Sequence, residues 1–408
     1  MERIIAGIDV GSTKICTLIG RVGENGLLNV IGMGVVPSRG VRRGVITDID
    51  VATRSIEESV RKAQSMAHYT ISEAYLGISG SHISSQNNRG SVSIGRGDRP
   101  VDREDIERVM EDAEAIATPH NRRILHTIPR EYIIDGQAGI KNPIGLMGYR
   151  LEVEAHIVTG SETCIQNLEH CVERNQIKVV ESVFQPLASA LAVLNEEEGR
   201  MGVVLIDIGG GTTDLATYLD GSVWETMVFD LGGNHISNDI ALLLRTPFTA
   251  AEEAKVRYAH AVPSEVDEAD EIELSVFGHE TMAKLSRRDL CEIVEARVEE
   301  MFSLIARDIR RSGYDDLLPA GIVLTGGTAD LRGIRDVAAR QLQMPVRLGI
   351  PHRLHGVVEA ISNPAYATAV GLLLWGMKAA GEKPAPVALR VDRTAWGIIR
   401  SLFKRIMP

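Results

Sequence analysis

The chain predicts an α/β protein built as two similar lobes, and three observations carry that prediction. First, a β-branched run ending in Asp, a Gly/Ser/Thr turn and a second apolar run occur twice. The copies are Ile4-Ile5-Ala6-Gly7-Ile8-Asp9-Val10-Gly11-Ser12-Thr13-Lys14 and Val203-Val204-Leu205-Ile206-Asp207-Ile208-Gly209-Gly210-Gly211-Thr212-Thr213-Asp214. Each reads as a β-hairpin. Second, Asp9 and Asp207 are 207 − 9 = 198 positions apart, close to half of the 408 residues, which is the spacing of a repeated unit. Third, each hairpin is followed by strands alternating with helical stretches, the mixture expected of an α/β chain.

Taken in order, residues 53–67 place Ile56, Val60, Ala63 and Ala67 on one helical face, and 162–173 and 187–197 read as further helices. Residues 81–160 differ in character. They hold one charged helix, 102–117, and extended segments at 122–134 and 149–159, so they read as an inserted α/β subdomain. Gly80-Ser81 and Gly90-Ser91 read as turns. In the second lobe, 247–311 is largely helical and highly charged, and the acidic stretch 263–273 is expected to be a disordered loop. A strand at 320–324 leads into Thr325-Gly326-Gly327-Thr328, and 364–377 reads as a small-residue helix. The expected division is 1–80 with 161–197 as first-lobe core, 81–160 as insert, 198–230 with 312–380 as second-lobe core, and 231–311 as a helical subdomain. A linker, 381–393, with Pro384 and Pro386, then leads to a terminal helix, 394–408.

Composition removes several functions. With 44 Lys+Arg against 55 Asp+Glu, the formal charge of -11 argues against a general nucleic-acid coat. Cys16, Cys164, Cys171 and Cys291 show no zinc-ligand spacing and are too few for a disulfide framework, so they read as reduced, buried thiols of a cytosolic chain. No signal peptide opens the sequence and no apolar run reaches the ~20 residues of a membrane span, so the protein is expected to stay inside the cell without crossing a membrane. His352 and His355 have a ligand-like spacing, but no neighbouring Cys or carboxylate completes a metal set, so they read as a surface loop.

The two turns point to phosphate chemistry. A nucleoside triphosphate needs backbone N–H groups aimed at its oxygens, small residues that let the backbone come close, and an acid to hold hydrated Mg²⁺. Gly11, Ser12 and Thr13, with Asp9 before and Lys14 after, offer this; so do Gly209, Gly210, Gly211, Thr212 and Thr213 after Asp207. Either alone is also an ordinary hairpin turn. Two half a chain apart, with a third Gly-Gly-Thr at Gly326, Gly327 and Thr328, make the phosphate reading the better one. No GxxxxGK[ST] occurs, so this is not a P-loop.

These motifs resemble the actin, heat-shock-chaperone and sugar-kinase ATPase superfamily. Residues 7–14 are similar to its first phosphate loop, 207–214 to its second, 323–328 to its adenosine motif, and Phe184-Gln185-Pro186-Leu187-Ala188 and Asn363-Pro364-Ala365-Tyr366-Ala367-Thr368-Ala369-Val370-Gly371 to its two connecting helices. The resemblance spans roughly 4–376. It implies a two-lobed actin-like ATPase fold with ATP and Mg in the cleft, Asp9 and Asp207 on Mg through water. It also implies that Gly232 and Gly233 turn near the nucleotide and that Glu252 and Lys255 hold adenine and ribose. For the last two, a solvated helix face is an equal alternative. Chaperone-like relatives have Glu where this chain has Gln185; an amide can orient water but cannot act as a base, so weak hydrolysis at most is expected.

Within the superfamily, Asn142-Pro143-Ile144-Gly145-Leu146-Met147-Gly148-Tyr149-Arg150-Leu151-Glu152-Val153 and Gly40-Val41-Arg42-Arg43-Gly44-Val45-Ile46 resemble the FtsA family of bacterial actin-like cell-division proteins. That resemblance implies head-to-tail polymerisation and binding of the FtsZ C-terminal peptide by the helical subdomain, with Arg297 a contact for the acidic peptide or else a solvated helix charge. It further implies recruitment of later division proteins on the cytoplasmic side of the membrane at the division site. A pilus-assembly actin is the nearest alternative. A chaperone ATPase would need a substrate domain after 380, and a small-molecule kinase would need a catalytic Asp that the sequence does not display.

The terminal segment can be read without the family. At 100° per residue, Trp396, Ile398, Ile399, Leu402, Phe403, Ile406 and Met407 fill one half of a helical wheel, and Gly397, Arg400, Ser401, Lys404 and Arg405 the other. A helix of that length is roughly 20 Å long, too short to span a bilayer but suited to lie in an anionic membrane surface. Docking on the protein's own core or on a partner groove is the alternative.

Overall fold

Both strands of the first hairpin are apolar on both faces, and the reason is visible in the packing. In the computed structural model, Ile5, Cys16 and Leu18 face one side of a six-stranded sheet, and Ala6, Ile8, Val10, Ile15 and Ile19 the other; both sides are buried. The structure describes residues 3–23, 26–95, 99–115, 119–278, 282–352, 355–356, 358–379 and 381. The linker from 382 onward and the terminal helix, with Trp396, Ile399, Arg400, Leu402, Phe403, Lys404, Arg405 and Ile406, lie outside the described residues.

The first-lobe sheet runs in the order Lys178–Phe184, Glu73–Ile78, Arg3–Val10, Lys14–Val22, Leu28–Pro37, His355–Gly356. The second-lobe sheet repeats the plan in the order Ser222–Phe229, Thr213–Leu219, Val203–Ile208, Ile322–Thr325, Val346–Leu348. In each, the hairpin strand that carries the Asp pairs antiparallel with its sister and parallel with a strand from further along the chain. The helices Gln185–Val193 and Ala367–Ala379 share one core with Ile5, Leu18, Val203, Leu205 and Val323, so they lie between the two sheets and join the lobes. They cross closely: a Cβ on Gly371 would stand 1.9 Å from the Ala188 carbonyl oxygen, so glycine is needed there. The helix Ile49–Ala67 covers the outer face of the first sheet and begins four residues before the expected start, because Asp48 caps it by accepting from the Val51 N–H.

The insert is a four-stranded sheet, Ser84–Ser93, Arg150–Ser161, Arg122–Ile134 and Gln137–Ile140, covered by the helix Arg103–Glu114. Asp102 and Asp105 cap that helix reciprocally; Asp105 is fully buried, and hydrogen bonds from Arg99 hold its carboxyl far below the ordinary range. Gly90 is not in a turn. It stands in mid-strand, where a Cβ would meet the Val109 carbonyl oxygen at 2.3 Å, so the glycine admits the helix.

The helical subdomain contains Gly233–Leu243, Phe248–Tyr258 and the long helix Arg287–Ser312. Its acidic stretch is not a disordered loop. Glu271–Leu274 pairs antiparallel with Ala283–Ser286, burying Ile272 and Leu274, while Arg287 and Arg288 pair with Asp270 and Glu268. The carboxylates had masked a two-residue alternation. Elsewhere 187–197 divides into Gln185–Val193 and Glu196–Met201, separated by the cap Asn195, and Cys164 is only half-buried while the other three cysteines are buried.

Candidate functional site

The two hairpin turns are closed by the same bond: Gly11 N–H donates to the Lys14 carbonyl at 3.0 Å, and Gly209 N–H to the Thr212 carbonyl at 2.9 Å. The turns meet across the junction of the lobes. A Cβ on Gly210 would come within 1.9 Å of Thr13 Oγ1, and one on Gly211 within 2.5 Å of Ser12 Oγ, so the first loop's hydroxyls sit where the second has only glycine. Together they floor a cleft of about 520 Å³.

Of the residues singled out in the sequence, Asp9, Gly11, Ser12, Thr13, Lys14 and Gln185 line this cleft from the first lobe. Asp207, Gly209, Gly210, Gly211, Thr212, Glu252, Lys255, Gly326, Gly327 and Thr328 line it from the second. Thr213, Gly232 and Gly233 stand behind it. Thr213 Oγ1 donates to the Leu231 carbonyl at 2.8 Å, and the N–H groups of Gly233 and Asn234 donate to the carbonyls of Gly209 and Gly210, clamping the second loop from the rear. Thr328 Oγ1 adds a bond to the Gly209 carbonyl at 2.9 Å. Gly326 has φ +88, and a Cβ there would strike Asp207 Oδ1 at 2.4 Å, so only glycine lets the third motif approach the acid.

The electrostatics of the floor are unbalanced. Asp9, Asp207 and Asp214 are all buried, and the cation among them is Lys14. Burial pushes Asp9 up to about 7, opposed by Lys14 and reinforced by Asp207. Burial pushes Asp214 up to about 8, opposed by its hydrogen bond from Ser79 Oγ at 2.5 Å. Asp207 is raised by the same desolvation and partly relieved by Ser189 Oγ at 2.6 Å and Thr368 Oγ1 at 3.2 Å. Lys14 Nζ donates to the Ala365 carbonyl at 2.5 Å and lies 3.8 Å above the Tyr366 ring, and burial lowers its proton affinity. Gln185 Nε2 donates to Asp9 Oδ1 at 2.9 Å, which fixes that carboxylate's orientation.

Asp214 is the member the sequence reading left out. The hairpin register could have found it, because Ile208 pairs with Thr213 and therefore Asp207 with Asp214 directly across the ladder. Opposed like charges destabilise a sheet, so such a pair marks a place that wants a cation. Asn234, Ser189 and Thr368 were also missed; their polarity carries no periodic signal.

On the cleft's outer wall, Lys255 Nζ bonds the Gly233 carbonyl at 3.0 Å and Glu252 at 2.7 Å, so these two form a braced pair and not a loose solvated face. Arg297 does not line the cleft. It is held by Asp239 through Nε at 2.5 Å and Nη2 at 2.9 Å, tying the long helix to Gly233–Leu243. His355 pairs in a short strand with Asn29, and among the described residues no three His, Cys, Asp or Glu converge to hold a metal directly.

Comparison with known proteins agrees with this geometry. The family model for the cell division protein FtsA matches 204–371, and that for the SHS2 domain inserted in FtsA matches 80–159. The chain is 42% identical over 410 aligned residues to the cell division protein FtsA of Pseudomonas aeruginosa, covering 97% of this chain and 98% of that protein. Among solved structures, it resembles a PilM-PilN type IV pilus biogenesis complex (TM-score 0.67, 16% identity, 91% of this chain and 98% of that one). It also resembles MreB5 of Spiroplasma citri bound to ADP (TM-score 0.55, 15% identity, 93% and 98%). These two likenesses establish the actin-like fold, and the identity to the curated relative settles the family: the chain belongs to the FtsA family of cell-division proteins.

Proposed function

We propose that the protein is an ATP-binding, actin-like cell-division protomer that polymerises and ties the FtsZ ring to the inner face of the cytoplasmic membrane. The observation that carries the nucleotide part is the pairing of two glycine turns with three buried carboxylates in one cleft. The residues fit a nucleotide with its metal ion: the turns suit phosphate oxygens, and the surplus of negative charge suits a hydrated divalent ion. Gly11 to Thr13 and Gly209 to Thr212 would cradle phosphates, Asp9 and Asp207 would receive the waters of Mg²⁺, Glu252 and Lys255 would meet the ribose and adenine, and Gly326 to Thr328 would flank them. When bound, Mg²⁺ would neutralise phosphate charge. Gln185 could position a water but not deprotonate it, so hydrolysis would be slow.

Membrane attachment by 394–408 follows from the wheel alone: each of three cations contributes about 1 kcal/mol at an anionic surface, offset by the cost of ordering the segment. One copy would bind weakly and a polymer firmly, through effective concentration. The helical subdomain, with Arg297, is the proposed seat of the FtsZ peptide, and the family implies later division proteins as further partners. Among the described residues no helix is long and apolar enough to cross a membrane. Flotation with anionic vesicles and ATP tests the reading. The full chain should float and a chain ending at Gly381 should not; equal behaviour would refute the anchor.

A further inference from the structure

A second cavity, of about 230 Å³, adjoins the nucleotide cleft. Ser12, Gly211 and Asn234 border both, so the tips of the two hairpin turns form the partition. The small hairpin Val41–Arg42 with Val45–Ile46 supplies Val41, Arg42 and Arg43 to the second cavity's lining, and the hairpin's turn lies against the partition: a Cβ on Gly211 would stand 3.2 Å from Arg43 Cα, and Gly44 N–H donates to Ser12 Oγ at 3.3 Å.

The two cavities differ in charge. The main cleft holds Asp9, Asp207, Asp214, Glu252 and Asp330 against Lys14, Lys255 and Arg332. Among the described residues lining the second, none is acidic, in a chain whose formal charge is -11. Arg42, Arg43, His235 and Asn238 line it instead. Arg43 also reaches Asp230 at 2.5 Å, bridging the lobes at the cavity's edge, while Arg42 is exposed beside it. His235 Nδ1 accepts from the Gly232 N–H at 3.1 Å, which leaves Nε2 as the ring's donor. Guanidinium and N–H donors around a pocket of this size match a tetrahedral oxyanion.

We propose that the second cavity is a phosphate subsite, holding inorganic phosphate beside a nucleotide in the main cleft; the proposal rests on the nucleotide reading of that cleft. Its position explains the partition. A phosphate there faces the same loop tips that would hold the nucleotide's phosphates, from the side supplied with positive charge. Because Arg43 spans to the second lobe, occupancy would also bear on how tightly the lobes are latched.

The test is calorimetric titration of the full chain, first with Mg²⁺ and ADP and then, when loaded, with inorganic phosphate. Phosphate should bind, and Arg42→Glu and Asn238→Asp, both at exposed positions, should each weaken it at least tenfold while changing ADP affinity less than twofold. Identical phosphate titration of wild type and both variants would overturn the subsite, as would a loaded chain that takes no phosphate. A chain that binds phosphate in the Arg42-dependent way but no ADP would refute the nucleotide reading and leave the subsite standing.

Discussion

At the residue scale, the buried acids give the sharpest expectation. Asp9 and Asp214 hold their protons up to about 7 and about 8 because burial disfavours their charged forms. The unfolded chain loses those protons near pH 4. The folded state therefore binds more protons between these limits, and its stability falls as pH rises from about 4 to 8. We expect the melting temperature of the nucleotide-free protein to drop by a few degrees across that range, and Asp9→Asn or Asp214→Asn to flatten the slope; an unchanged slope in both variants would contradict the desolvation account. Glycine requirements differ within the cleft. Gly210→Val should weaken ATP binding more than tenfold, since its Cβ collides with Thr13, whereas Gly327→Ala should be mild, because the nearest atom is Ala365 Cβ at 3.8 Å. Equilibrium binding of a fluorescent ATP analogue would compare them. Arg297 is engaged by Asp239, so removing it should cost about 1 kcal/mol even if it touches no peptide. Asp239→Asn with Glu300→Gln separates the roles, since Glu300 also holds Arg297: freeing the arginine should strengthen binding of an acidic peptide if it is a contact, and leave it unchanged if it only braces the helices.

At the scale of elements, the joint between the lobes is a helix pair and not a flexible strap. Gly371 packs on Ala188, and both helices are buried between two sheets. Gly371→Val should destabilise the protein by roughly 1–3 kcal/mol through overpacking, read from the denaturant midpoint, with loss of nucleotide affinity following because Gln185 and Thr368 ride on the same pair. The insert behaves differently as an element. Although its chain leaves and re-enters the first lobe, it is fastened to the second: His156 Nε2 meets Thr226 Oγ1 at 2.9 Å, Ser222 Oγ donates to the Pro129 carbonyl at 2.6 Å, and the Arg130 guanidinium lies 4.0 Å from the Trp224 ring. Relative lobe motion therefore has to pass through these contacts. Burial lowers His156 to about 4, so at neutral pH the ring is uncharged and bridges Asn87 and Thr226 by neutral hydrogen bonds.

For the whole molecule, the amino-acid sequence carries the fold class, the doubled hairpin and most of the cleft, because β-branched runs, acid-before-glycine turns and their half-chain spacing are local signals. It mistook the acidic segment before Ala283 for disorder, since apolar residues at every second position are few in so short a strand, and it took Gly90 for a turn, since only a helix arriving from elsewhere explains a glycine in mid-strand. Packing of distant segments decided that the Asp207–Asp214 pair meets Asp9 across the lobes, that Lys255 is braced on the Gly233 carbonyl, and that Arg297 is tied to Asp239. It also decided that a basic cavity backs the phosphate loops. Each of these depends on the distance between residues far apart in the chain, which periodicity and composition do not encode and which packing of the two lobes sets.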